Sequence, residues 1–191
     1  MSKVNTIGCV CGVAALFILC AGARGDEYRV SDVGALDAAI GKLRPGDVLV
    51  LAAGEIKQTV FLVDVRGAAD APVTIRCEPG ASISPSTREV LYCGNSKHLV
   101  IEGLRASGAL RAGLIFNRSS HVTVRGCTIA SNGVWGIQAC LSDHIAVEDC
   151  DIYGSRKQHG IYFSTTDFPA VRNCRIHDNP GCGIHLNGDK S

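Results

Sequence analysis

Short runs of alternating apolar and polar residues recur along most of the chain, and they predict β-strands. Gly, Asn, Asp and Ser separate these runs. An apolar residue at every second position is typical of a strand that buries one face. The pattern divides into similar units, and three short strands fit in each unit. In one such unit the alternating apolar positions are Ile145, Val147, Cys150, Ile152, Ile161 and Phe163.

The runs follow a repeat of about 23 residues. The segments His98–Leu104, His121–Cys127 and His144–Cys150 align without gaps, and Phe168–Cys174 continues the series one residue later. Strands so closely spaced leave no room for a crossover helix, so they must stack on their own equivalents as parallel sheets. The sequence therefore predicts an all-β right-handed parallel β-helix with three strands per coil. A second landmark recurs in step at Gly113, Gly136, Gly160 and Gly183.

The region before the repeat predicts a capping helix. Apolar residues between Leu36 and Leu43 fall on one helical stripe, Ser31 or Asp32 can cap its start, and Pro45 with Gly46 ends it. We expect a cap at residues 24–47 and the β-helix at 48–191, beginning with a strand at 48–51. Residues 55–71 and 84–92 are expected to be irregular loops. No sequence after residue 188 is typical of a cap, so missing C-terminal coils or a partner are expected to cover that end.

The N-terminal segment, residues 1–23, has the layout of a secretory signal peptide. Lys3 precedes twenty uncharged residues, and small residues at 21–23 come before Arg24. We expect cleavage there, which predicts a secreted, periplasmic or cell-surface protein without membrane contact after cleavage. An uncleaved anchor is the alternative, since the uncharged run is just long enough to cross a bilayer.

Stacking turns equivalent positions into columns, and most of these columns have a structural interpretation. Removal of the signal peptide leaves seven cysteines, an odd number without the CxxC spacing of a zinc site, so disulfide pairing stays open and no metal site is predicted. Outward residues of alternating charge predict an ion-pair ladder, and histidines that begin equivalent strands predict a stack. These columns are Leu104, Cys127, Cys150 and Cys174 (inward), Glu102, Arg125, Glu148 and Arg172 (outward), and His98, His121 and His144 (stacked).

One turn departs from the repeat and carries the candidate chemistry. An extra residue enters here, and Arg156, Lys157 and His159 share a single loop. An acidic sugar polymer would find cations for its carboxylates in this turn, with Lys157 or His159 as a candidate base and Arg156 as a candidate neutralising group. A solvated basic turn without function is the alternative. The neighbouring outward strand face supplies candidate substrate-binding residues, namely Gln138, Tyr162 and His185.

The composition excludes several classes of protein. The chain has 46% hydrophobic residues, 22 glycines and a net charge of +1. These values are typical of a folded domain, and they argue against a disordered tail, a collagen-like fibre or a polycation that binds nucleic acid.

Several motifs resemble a known family. Leu36–Ile40, Leu43–Asp47, Ala71–Ile75, Pro79–Gly80 and His98–Leu104 together are similar to the N-terminal region of chondroitinase-B-like and alginate-lyase β-helices. The later part of the chain is more similar to generic secreted bacterial β-helix repeat proteins. The motifs are mostly core and turn positions, so they are specific for the fold and much less specific for the activity.

This resemblance implies a function class. The lyases of this family act by β-elimination on uronate-containing polysaccharide. The resemblance therefore implies a lysine base, an arginine and a calcium ion that neutralises the uronate carboxylate. The pattern around that lysine and arginine has no match here, so no catalytic residue is carried over and calcium is expected from the resemblance alone. Two functions therefore stay open. One is an exported lyase or epimerase of an acidic polysaccharide, and the other is a non-catalytic solenoid for glycan binding, adhesion or scaffolding.

Overall fold

A computed structural model describes residues 25–85 and 87–188 of the chain. The predicted signal peptide and the last three residues lie outside the described residues. The helix α1 spans Val33–Ile40. The strands are β1 (Glu27–Val30), β2 (Val48–Leu51), β3 (Gly54–Ile56), β4 (Val60–Val63), β5 (Val73–Cys77), β6 (Ala81–Ile83), β7 (Glu89–Gly94), β8 (Lys97–Glu102), β9 (Arg105–Ser107), β10 (Ala112–Asn117), β11 (Ser120–Arg125), β12 (Thr128–Ala130), β13 (Trp135–Glu148), β14 (Asp151–Tyr153), β15 (Ile161–Asp167), β16 (Ala170–Arg172), β17 (Arg175–His177) and β18 (Ile184–Asn187).

The strands form three parallel strips, and each complete coil contributes one strand to each strip. The first strip contains β1, β2, β5, β8, β11, the second half of β13, and β16. The second strip contains β3, β6, β9, β12, β14 and β17. The third strip contains β4, β7, β10, the first half of β13, β15 and β18. This arrangement confirms the predicted all-β parallel β-helix of three strands per coil.

The recurring glycine landmark reflects a close approach of neighbouring coils. A Cβ atom built on Gly136 would lie 2.5 Å from Cγ2 of Ile152 and 2.6 Å from the carbonyl oxygen of Gly160. Gly113 and Gly160 meet their neighbours in the same way, with contacts of 2.5 Å to Cγ2 of an isoleucine. No side chain larger than hydrogen fits at such distances, so Gly113, Gly136 and Gly160 are required, whereas a Cβ atom on Gly183 would make an ordinary contact of 3.5 Å.

The inward positions of successive coils form one continuous core. Ile137, Ile161, Val124 and Val147 are fully buried, and Cys127 and Cys150 are nearly so, as the alternation predicts. Ile184 pairs with Ile161 in the same column but is 43% exposed. The prediction that Ile184 is a core residue is therefore wrong for the described structure, because no described strand packs over β18.

The N-terminal cap agrees with the sequence in its helix and differs in its strands. Asp32 caps α1 by accepting a hydrogen bond from the backbone N–H of Ala35, and Leu36 and Ala39 are buried against the first coil. However, β1 precedes the helix and pairs with β2, so the strand at 48–51 is not the first. The predicted loops also contain strands: β4 lies within 55–71, and β7 begins within 84–92.

The repeated columns have the structural roles that the sequence predicts. Arg125 contacts Glu102 at 3.8 Å and Glu148 at 3.0 Å, and Arg172 contacts Glu148 at 3.1 Å. The rings of His98, His121 and His144 stack at centroid distances of 4.7 and 4.5 Å. The described cysteines are all free thiols, and those of the inward column pack between coils.

Candidate functional site

The outward residues of the third strip differ from coil to coil. Backbone pairing places them side by side along a single column, so their side chains share one surface. We call this column, together with the side chains that border it, the third-strip face. In coil order the column is Phe61, Tyr92, Ile115, Gln138, Tyr162 and His185.

An arginine is held in a defined position at the centre of this face. The guanidinium of Arg111 lies 5.4 Å from the centroid of the Trp135 ring. Its Nη1 is 3.3 Å from Oε1 of Glu89, and its Nη2 donates a hydrogen bond to Oε1 of Gln138 at 3.0 Å. Two of the five guanidinium N–H groups are thus used for positioning, which leaves others to bind an anionic ligand. Gln138, one of the predicted binding residues, therefore orients Arg111.

The single tryptophan connects this arginine to the predicted cationic turn. Nε1 of Trp135 donates a hydrogen bond to Oε1 of Gln158 at 2.9 Å, and the Trp135 ring stacks at 5.7 Å on the ring of Tyr162. The turn itself is braced, because Oγ of Ser155 donates to the carbonyl of Gln158 at 2.9 Å. The aromatic surface and the cationic turn are therefore parts of one face.

Arg156 and Lys157 lie at the rim of this face. Both side chains are exposed, and neither forms an ion pair with any residue that the structure describes. The backbone N–H of Arg156 donates to the carbonyl of Asn132 at 2.9 Å, which fixes the turn against the preceding coil. Their charges are therefore available to a ligand from solution, while their long side chains keep rotational freedom.

His159 is partly buried, and its protonation is constrained. Its Nδ1 accepts a hydrogen bond from the backbone N–H of Cys182 at 2.9 Å, so the neutral ring carries its proton on Nε2. Burial, followed by the electrostatic effect of the neighbouring His185, lowers the pKa of His159 below its ordinary value. In this tautomer Nε2 carries a proton and can donate a hydrogen bond, and Nδ1 would have to release the N–H of Cys182 before it could accept a proton.

Tyr162 and His185 complete the predicted residues. The two rings meet edge to face at 5.2 Å, and His185 stacks on His159 at 4.5 Å. Nδ2 of Asn187 donates to the phenolic oxygen of Tyr162 at 3.3 Å. Hydrogen bonds from Asn187 and then Ser164 lower the pKa of the Tyr162 phenol below its ordinary value. Tyr162 therefore presents a phenolic hydroxyl, a group that can donate or accept a hydrogen bond, beside His185 on this face.

Other residues of this face are not among those predicted from the sequence, namely Arg111, Trp135 and Glu89. The sequence gives little indication of their role, except that Trp135 is the only tryptophan and directly precedes the Gly136 landmark. The repeat says nothing about Arg111, whose side chain reaches Gln138 across a coil boundary. The structure also places Asp151, Tyr153 and His177 on the second strip, where His177 contacts both of the others.

The described residues contain two groups whose ligand atoms lie within 4.8 Å of one another, and neither fits calcium. One group is His159, Cys182 and His185, and the other is His121, Asp143 and His144. Calcium takes about six to eight oxygen ligands, whereas these groups supply a single carboxylate between them. A requirement for calcium therefore remains an expectation of the resemblance alone.

Solved structures with a similar fold include several polysaccharide lyases. An alginate lyase from Paenibacillus sp. str. FPU-7 matches with a TM-score of 0.67 and 22% identity over 84% of this chain and 64% of that chain. A mannuronic acid specific polysaccharide family 6 lyase from human gut microbiota matches with a TM-score of 0.55 and 17% identity, covering 85% and 51%. A rhamnogalacturonan lyase gives 0.51 and 10%, covering 86% and 62%. The chain spans less than two thirds of each of these proteins.

The remaining findings concern sequence relatives and membrane-spanning helices. No curated protein matches the chain. In the part of the chain that the structure describes, no helix has the length and apolar character needed to span a membrane. The profile of the family described as "Right handed beta helix region" matches residues 80–191, which is more than half of the sequence. The chain therefore belongs to the right-handed beta helix family.

Proposed function

We propose that this chain is part of an exported, polysaccharide lyase-like protein that binds a uronate-containing polysaccharide along the third-strip face. The observation that carries the proposal is the arrangement around Trp135. Arg111 lies over its ring, Tyr162 stacks beside it, and the turn with Arg156 and Lys157 is hydrogen-bonded to it through Gln158. The fold of solved alginate and other polysaccharide lyases supports the same substrate class.

The chemistry of the face suits an acidic sugar chain. Aromatic rings pack against the apolar face of a pyranose, and guanidinium groups bind carboxylates in a bidentate manner. The column of outward residues extends over successive coils, so consecutive sugar units would meet consecutive coils. Arg111 is anchored by Glu89 and Gln138, which reduces the entropy that it loses on binding.

Within this proposal, β-elimination is the more specific function and glycan binding without catalysis is the alternative. Elimination requires that a cation neutralise the uronate carboxylate, which acidifies the proton at C5, and that a base remove this proton. Arg111 and Arg156 are the candidates for neutralisation. Lys157 and His159 remain candidate bases from the sequence, and Tyr162, whose phenolic oxygen accepts a hydrogen bond from Asn187, adds a third. An epimerase would use the same proton abstraction without loss of the leaving sugar.

The experiment compares binding and cleavage in matched variants of the full chain. Calorimetric titrations with alginate, pectate and glycosaminoglycans should show binding that weakens as salt rises, because salt screens carboxylate contacts. The double variant Arg156→Ala with Lys157→Ala should bind more weakly. The matched control is Arg105→Ala with Arg175→Ala, two exposed arginines of the second strip without an ion pair among the described residues.

The two functions give different products. A lyase releases unsaturated uronate ends, which are measured by their ultraviolet absorbance, and Tyr162→Phe or Lys157→Ala should abolish this signal according to which residue is the base. A binder shows salt-dependent binding without this signal. Equal affinity in both double variants, or no binding of any of the polymers, would contradict the proposal.

A further inference from the structure

We propose that His159, Cys182 and His185 form a binding site for a divalent transition-metal ion of the zinc type. The inference goes beyond the proposed function, since the site can bind a metal ion whether or not the face binds a polysaccharide. The three residues come from two adjacent coils at one end of the third-strip face. His159 lies just before β15, Cys182 just before β18, and His185 within β18.

The fold brings the three potential ligands together without a dedicated loop. One ligand atom from each residue lies within 4.8 Å of the other two. The stacking of the coils sets His159 and His185 at a ring distance of 4.5 Å. Gly181 allows the backbone before Cys182 to pass close to His159, because a Cβ atom at Gly181 would lie 2.7 Å from Nδ1 of His159. The backbone N–H of Cys182 then reaches that nitrogen at 2.9 Å, which holds the cysteine beside the imidazole.

The donor set selects the class of metal ion. A thiolate and two imidazoles are ligands for zinc and related borderline or soft ions, whereas calcium prefers oxygen. Three protein ligands leave one position of a tetrahedral ion open to water or to an oxygen of a bound molecule. Cys182 is exposed and the two histidines are half-buried, so an ion can enter from solution.

Binding has a structural cost that can be stated. Zinc lies about 2.0–2.1 Å from nitrogen and about 2.3 Å from sulfur, so the three ligand atoms, which lie within 4.8 Å of one another, must all face one point at these distances. The lone pair of Nδ1 in His159 is also occupied by the N–H of Cys182. Coordination through Nδ1 of His159 exchanges this hydrogen bond for a metal bond, whereas coordination through Nε2 keeps it. The exposed Cys182 side chain supplies the freedom to close the site.

The second group of potential ligands provides an internal comparison. His121, Asp143 and His144 contain no thiol. Nδ1 of His144 is 2.8 Å from Asp143, and its ring is packed between His121 and Phe168. A spectroscopic signal that requires a thiolate therefore reports on Cys182 and not on this group.

The test uses the full chain, reduced and free of metal, and titrates it with Co²⁺ alone and then with Zn²⁺. Bound Co²⁺ should give a thiolate-to-metal charge-transfer band with intense tetrahedral ligand-field bands, and Zn²⁺ should displace it. Cys182→Ser should abolish the charge-transfer band, and His185→Gln should weaken Co²⁺ binding at least about tenfold. The controls Cys140→Ser, a half-buried cysteine of β13, and His144→Gln should keep both the band and the affinity.

A second measurement protects the test against variants that fail to fold. In the unaltered chain, Zn²⁺ should slow the alkylation of Cys182 by iodoacetamide and leave that of Cys140 unchanged, as read by mass spectrometry. A Co²⁺ spectrum without a thiolate band, a band that survives in Cys182→Ser, or an alkylation rate of Cys182 that is indifferent to Zn²⁺ would overturn the proposal. Polysaccharide binding measured in chelator tests the proposed function separately.

Discussion

The outward surfaces of the first and third strips are built on the same coils but differ in what they repeat. On the first strip, each coil places a charge of alternating sign beside the last, and Glu148 is shared by Arg125 and Arg172. Its histidines also stack directly on one another, with Phe168 continuing the stack at 4.8 Å from His144. The charged side chains of this surface form ion pairs with one another and its rings stack on one another, so few of its groups are left to bind a ligand.

The third strip varies where the first strip repeats. Its outward column contains a phenylalanine, two tyrosines, an isoleucine, a glutamine and a histidine. The adjoining turn leaves Arg156 and Lys157 exposed and without ion pairs among the described residues. The fold needs alternation on both surfaces, but it does not need this sequence of side chains. The difference indicates that the repeated side chains of the first strip stabilise the fold. A function should therefore be tested on the variable surface of the third strip.

The largest expected effect concerns the core that both surfaces cover. Ile161→Ala should lower the free energy of unfolding by roughly 2 to 5 kcal/mol, the usual cost of a large-to-small change at a buried position. The matched control is Ile184→Ala, in the same column but 43% exposed, which should cost clearly less. Denaturant unfolding measures both, and equal losses would break the assigned register.

The coil spacing beneath the third strip gives the next effect. Gly136→Ala places a methyl group against Ile152 and the carbonyl of Gly160, so we expect a loss of about 1 to 3 kcal/mol from overpacking. Gly34→Ala in α1 is the control, because its nearest contact would be an ordinary 3.5 Å. Thermal unfolding of both variants is the measurement, and a Gly136→Ala protein as stable as the control would contradict the close approach of the coils.

The functional difference between the surfaces is tested with two aromatic residues. Trp135→Ala should weaken polysaccharide binding by about tenfold or more, since a central tryptophan is a frequent binding hot spot. Phe168→Ala removes an exposed aromatic ring from the first strip and should leave the affinity unchanged. Isothermal titration gives both constants. If the two variants lose affinity equally, the assignment of binding to the third strip is wrong.

The ion-pair ladder is expected to contribute little. Glu148→Gln removes the partner of Arg125 and Arg172, whose side chains are 50% and 61% exposed, so the loss should be only about 0.2 to 1 kcal/mol per pair. Asp149→Asn changes the neighbouring charge without breaking an ion pair between described residues and serves as the control. The loss should shrink further in high salt. A large, salt-independent loss in urea unfolding would show that the ladder is more than a solvated surface.

The smallest effect is a pH dependence of stability that arises from His98. Burial, then the charges of His121 and Lys97, lower the pKa of His98. The unfolded chain therefore takes up this proton first, and stability should fall as pH drops below about 6.5, the ordinary histidine value. His98→Asn tolerates the positive φ of 53° at this position and should reduce the slope. Unfolding curves between neutral and acidic pH with the same slope in both proteins would contradict this.

The agreement between sequence and structure is best where the repeat is regular. From residue 98 onward, Leu99 pairs with Val122 and Val122 with Ile145, as the spacing predicts. Earlier coils are longer: Val60 pairs with Leu91, which in turn pairs with Leu114 after a shorter interval. The irregular spacing conceals β4 and the start of β7, because a period search finds strands only where coils have equal length.

The candidate site was predictable only in part for a related reason. Gln138, Tyr162 and His185 follow from the register, since pairing of backbone groups places equivalent residues in one column. The position of Arg111 does not follow from it. Its long side chain crosses a coil boundary to Gln138 and is held there by Glu89, and these contacts depend on side-chain rotamers rather than on the period.

The sequence by itself determined the parallel β-helix, the buried columns, the ion-pair ladder and the histidine stack. The reason is that stacked coils of equal length place residues one repeat apart next to each other. Only the tertiary structure decided which outward side chains act together. It placed the only tryptophan between an anchored arginine and a cationic turn, and it brought His159, Cys182 and His185 of two coils within 4.8 Å. The reason is physical: backbone hydrogen bonds define the register at every residue, whereas the directions of long outward side chains are decided by the contacts that each of them finds.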